Sequence, residues 1–95
     1  EGSNIAKASA GNLYNISITT GGTAGYLMVF NATSAPADGA VTPGLCRVIA
    51  ANSTLSIGWA GMPRRFSTGI TAVFSSTGCF TKTVSATAYF EIEVQ

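Results

Sequence analysis

Apolar residues recur at every second position along much of this chain, and nowhere do they keep the i, i+3, i+4, i+7 spacing of a helix for three turns. Gly, Ser or Thr interrupts each stretch that begins such a pattern. The alternation over residues 13–19 predicts a strand with Tyr14, Ile16 and Ile18 on one face and Asn15, Ser17 and Thr19 on the other. Tyr26-Leu27-Met28-Val29-Phe30 is apolar on both faces, which predicts a strand covered on two sides, either central in a sandwich or buried in an interface. Further strands are expected over residues 45–50, 54–59 and 70–75, with an edge segment over 82–85. Residues 87–95 alternate most regularly, with Ala88, Phe90, Ile92 and Val94 inward and Tyr89, Glu91 and Glu93 outward. Residues 1–12 are small and polar and suit an N-terminal arm or a short edge strand.

Turn chemistry divides these strands. Gly21-Gly22 offers the positive φ of a tight hairpin, and Pro36, Gly39, Pro43 and Gly44 mark a loop over residues 34–44. Residues 51–53 and 76–78 read as turns, and Pro63 should stop any ladder running through it. The whole is the pattern of one all-β domain over residues 1–95, an antiparallel β-sandwich or jelly roll of about seven or eight short strands.

Composition narrows the function classes. Charged residues are 9% of the chain and the formal net charge is +1. That balance excludes a clustered basic surface for nucleic acid. No apolar run reaches the length of about 18 residues that a membrane-spanning helix needs, and residues 1–95 show no basic-then-apolar leader pattern. The opening residue, Glu1, reads as a start inside a longer or processed product.

No catalytic constellation accompanies this frame. There is no His, which removes the usual general base and the commonest metal ligand. Glu91 and Glu93 share one outward face and do not flank a cleft as paired glycosidase acids would. The expectation is therefore no enzymatic activity, no cofactor and no metal. Cys46 and Cys79 are too few for a structural zinc site, and they read either as a disulfide or as two buried thiols. The triplets at Asn15, Asn31 and Asn52 match a glycosylation acceptor, but a chain this rich in Asn, Ser and Thr makes them by chance. Tyr14, Tyr26, Tyr89 and Trp59 read as core packing ahead of a sugar-stacking platform. The sharpest surface feature is Trp59, Met62, Arg64, Arg65 and Phe66, a mix of residue types that protein interfaces favour, weighed against two exposed arginines capping a turn.

Several segments carry a family likeness. Ala8-Ser9-Ala10-Gly11-Asn12-Leu13-Tyr14, the stretch from Tyr26 through Asn31-Ala32-Thr33-Ser34-Ala35-Pro36, Gly39 and Thr42-Pro43, then Phe66-Ser67-Thr68-Gly69-Ile70 and Ala86-Thr87-Ala88-Tyr89-Phe90, follow one another in order. Together they resemble a group of small virion-associated proteins of tailed bacteriophages. The resemblance implies a compact β-sandwich used as a structural part of a phage particle, as a capsid decoration (cement) protein or a head or tail accessory, with no catalytic residues to carry over. The Cys46/Cys79 pair and the Arg64-Arg65 insertion depart from the group's pattern.

These observations lead to the expectation of a non-enzymatic virion structural protein on the particle exterior, assembled in the bacterial cytoplasm. Its partner is expected to be the major capsid protein or another virion protein, and the chain itself a homo-oligomer, with a trimer favoured. Alternative readings are a carbohydrate- or receptor-binding tip domain of a phage tail or fibre, and a subunit of a bacterial surface fibre or adhesin, which would require a donated strand for which residues 1–12 are the candidate.

Overall fold

A computed structural model describes residues 2–58, 64–85 and 88–95. Within them the chain is all-β and has no helix. Ten strands follow in order among the described residues: β1 (Ser3–Lys7), β2 (Gly11–Thr20), β3 (Gly25–Phe30), β4 (Gly39–Ala40), β5 (Leu45–Ile49), β6 (Thr54–Gly58), β7 (Arg64–Phe66), β8 (Ile70–Ser75), β9 (Thr81–Lys82) and β10 (Ala88–Val94). Every ladder is antiparallel.

One sheet has the order β1-β8-β3-β5. A second has β2 at its centre, with β10 on one side and β6 and β7 in line along the other. β4 and β9 form a small third ladder. Residues 1–12 hold no free arm within the described part, since Ser3–Lys7 is an edge strand hydrogen-bonded to β8 of the same chain.

Apolar side chains from both larger sheets meet in one cluster. Leu13, Ile16 and Ile18 enter it from β2, Leu27 and Val29 from β3, Ile70, Ala72 and Phe74 from β8, and Phe90 from β10. Full burial of a side chain such as Phe74 contributes about 2–3 kcal/mol. The inward row expected for the last strand is present, although Ile92 and Val94 are only half-buried.

Two sequence expectations about β2 change. The ladder to β10 pairs Val94 with Leu13 and Glu93 with Asn15, so Tyr14 is the extra residue of a β-bulge. Inward positions therefore run Leu13, Ile16, Ile18, and Tyr14 is not on the core face. The Gly21-Gly22 pair does not close a hairpin. β2 and β3 lie in different sheets, residues 21–24 carry the chain between them, and neither glycine has a positive φ.

The two-faced strand β3 is indeed covered on both sides. Its second face carries Met28 and Phe30, which pack with Val73 of β8 under Ala32, Ala35 and Val41 of the following loop. The cover is thus supplied by the chain itself. Three fastenings hold that loop to the segment after β8: the β4–β9 ladder, the Val41 N–H donating to the Phe80 carbonyl, and the Lys82–Asp38 ion pair; beside them the Cys46–Cys79 disulfide ties β5 to the same segment.

The ion pair is lopsided. The Lys82 side chain is 5% exposed and Asp38 is 51% exposed, with Nζ 2.6 Å from Oδ1. The Lys82 hydrogen bond, helped by a longer one from the Val84 N–H, holds the Asp38 carboxyl below its ordinary range. A carboxyl depressed in the folded state stabilises the fold above its unfolded pKa of about 4, and loses that contribution as pH falls through the folded value. Acid unfolding of Asp38→Asn should therefore depend less steeply on pH below about 4 than that of the parent chain. Parallel pH profiles for the two proteins would show that the pair plays no part.

Candidate functional site

The stretch singled out by the sequence begins outside the described residues, where Trp59 and Met62 lie. Arg64, Arg65 and Phe66 form β7, paired through Leu13, Asn12 and Gly11 with the start of β2. Alternation along this short strand sends Phe66 inward, and it is 2% exposed within the main core cluster. Phe66 is therefore a core side chain and is withdrawn from the contact surface expected for it. Its ladder partner is a buried glycine, Gly11, where a Cβ would stand 2.6 Å from the Lys7 side chain and 3.0 Å from the Gln95 carbonyl.

The two arginines differ. Arg64 Nη2 donates to the Gly44 carbonyl at 2.6 Å, and its guanidinium carbon lies 5.8 Å from the Phe66 ring centroid. This side chain ties the end of the 31–44 loop to β7, a structural duty that a sequence motif does not display. Arg65 is exposed on the other face, pairing with Asn12 at the outward side of the sheet.

Next to β7, the turn at Ser67, Thr68 and Gly69 is fastened by a single side chain. Asn31 Oδ1 accepts from the Thr68 N–H at 2.8 Å and the Gly69 N–H at 3.3 Å, and its Nδ2 donates to Ser67 Oγ. Thr71 Oγ1 adds a bond to the Ala32 carbonyl. Gly69 fits only because it has no side chain, since a Cβ there would stand 2.6 Å from the Ala32 oxygen. The segments 26–36 and 66–70 thus lock together. What they encode is scaffold.

Beside this staple runs a groove of about 530 Å³ lined by residues including Phe30, Pro36, Val41, Thr42 and Pro43. Among the described residues no acid, base or thiol lines it. The arrangement can hold an apolar group. Among the described residues no group of three His, Cys, Asp or Glu side chains is placed to hold a metal ion. The tyrosines make no stacking platform, because Tyr14 and Tyr26 are half-buried and Tyr89 stands exposed without a described aromatic neighbour in its ladder.

The surface feature that sequence reading missed surrounds the disulfide. Cys46 and Cys79 are joined with their Cα atoms 5.8 Å apart. Val48, two residues beyond Cys46 on the same face of β5, is 71% exposed, and Phe80, which follows Cys79, is 72% exposed. Alternation from Cys46 to Val48 was the available signal, but the alternating pattern gives no account of which outward faces are covered. Comparison of the chain with known protein families, with characterised proteins and with solved structures finds no match.

Proposed function

We propose that this chain is a non-enzymatic structural protein of a tailed-bacteriophage particle. Its two larger sheets stack as an antiparallel sandwich, and it acts as a capsid decoration protein, bound on the outside to the repeated lattice of the major capsid protein. The observation that carries the reading is the pair of bare apolar side chains, Val48 and Phe80, brought into one region by the Cys46–Cys79 bond. In a chain with so little charge, such side chains suit a surface that a partner covers. Covering each would contribute about 1.5–3 kcal/mol, the scale on which a modest lattice contact is built. The choice of partner rests on the resemblance of the ordered segments to phage proteins.

Assembly on a particle formed in the bacterial cytoplasm has a corollary for the cysteines. Cytoplasmic thiols stay reduced, so the chain would fold as the dithiol and close its disulfide after release. The fibre reading loses its strand, because β1 already completes a sheet of its own chain. Antibodies raised against the chain should label the heads of intact, purified particles of the phage whose genome encodes it. Particles that stay unlabelled, and whose denatured proteins also lack the chain, would refute the proposal.

A further inference from the structure

The chain has few charges, and the fold sorts them. Lys82 and Asp38 form the one ion pair among the described residues. On the β2 sheet two acids and two bases remain, at opposite edges. Glu91 and Glu93 stand on β10, and Arg64 and Arg65 on β7. All four are exposed, and β2 lies between the two strands, which puts the edges about 10 Å apart.

The ladder fixes which way these side chains point. Glu93 pairs with Asn15, Glu91 with Ser17 and Arg65 with Asn12, all positions of β2 that alternate with the buried Leu13, Ile16 and Ile18. Glu91, Glu93 and Arg65 therefore share the outward face of one sheet. Each edge repels a copy of itself and attracts the opposite edge.

We infer that the protein assembles head to tail with copies of itself, the β10 edge of one protomer lying beside the β7 edge of the next so that Glu91 and Glu93 meet Arg65. A two-fold contact through either edge would set like charges against each other, so the assembly is heterologous and closes as a ring or runs on as a filament. This deepens the homo-oligomer expectation and rests on the charge pattern alone. Its test uses the purified chain, so it stands or falls separately from the virion reading.

Sedimentation velocity on the disulfide-intact chain at low salt should show concentration-dependent species larger than a dimer. These should dissociate in 1 M NaCl, where the screening length is about 3 Å. Glu91→Lys with Glu93→Lys, and separately Arg65→Glu, should each weaken association at least about tenfold. Arg64 is left in place because it holds the Gly44 carbonyl. Mixing the two variants should restore assembly, because the intact β7 edge of the first meets the intact β10 edge of the second and the two reversed edges are again of opposite charge. A parent chain that stays monomeric in low salt would overturn the inference. So would assembly indifferent to both variants, or a mixture of the two variants that does not co-assemble.

Discussion

Replacing Cys46 and Cys79 by alanine, or reducing the bond between them, is expected to cost the fold about 3–4 kcal/mol. The estimate follows from the 33-residue separation of the two cysteines, because the cross-link removes the entropy of a loop of that size from the unfolded chain. For a chain of this length the loss corresponds to a fall in Tm on the order of 15–25 °C. The effect should be uneven across the molecule. The bond ties β5 to the segment after β8, beside the three contacts that hold the 31–44 loop over Met28, Phe30 and Val73, and it alone is covalent. Amide exchange should accelerate first near β4 and β9, while Leu27, Val29 and Phe74 in the main cluster stay protected until global unfolding. A reduced chain with unchanged Tm and unchanged exchange at β4 would show that the other three fastenings suffice. A reduced chain that still folds, less stably, is what assembly in a reducing cytoplasm requires.

Phe66→Ala is expected to cost about 3–4 kcal/mol, the range for truncating a fully buried aromatic ring. The neighbouring Arg65→Ala should stay within about 0.5 kcal/mol, because Arg65 is exposed. The contrast separates two roles that the sequence placed side by side. If Phe66 were a docking residue, its removal would leave the unfolding midpoint in place and abolish partner binding instead. Burial of the ring at 2% exposure, inside the cluster formed by both sheets, predicts the reverse. Part of the cost arises at Arg64, whose guanidinium lies over the ring and loses that support. Urea unfolding of the two variants at neutral pH decides between the roles.

Much of the strand pattern was legible in the sequence, because a period of two is a direct consequence of one buried face. β2, β3, β5, β6, β8 and β10 lie where the alternation and the apolar runs put them. What the pattern could not show is where that period is broken or shared. The bulge at Tyr14 shifts the inward row by one residue, and no local residue type announces it. Gly21-Gly22 has the composition of a hairpin, yet its neighbours β2 and β3 belong to different sheets, a matter of long-range pairing. β7 is three residues long with two arginines, too polar and too short to register as a strand until Gly11–Leu13 is beside it.

The candidate site was less legible, for a related reason. Residue types favoured at interfaces are also favoured in cores, and Phe66 belongs to the core. Arg64 is occupied with the Gly44 carbonyl, so Arg65 is the described member of that stretch left facing outward without a described side-chain bond. The apolar run 26–30 left open a central strand or an interface, and its second face is closed by residues of the following loop. The features that now point outward, Val48, Phe80 and the charges divided between β7 and β10, depend on which strands lie at edges. Single-sequence alternation carries no record of edge position.

The central claim, that this chain is a lattice-bound part of a phage particle, is tested most directly by counting it there. Quantitative mass spectrometry of purified particles, with the major capsid protein as internal standard, gives its copy number. The account predicts copies comparable in number to the capsid subunits. Complete absence from the particle, or a handful of copies per particle, would contradict a decoration protein.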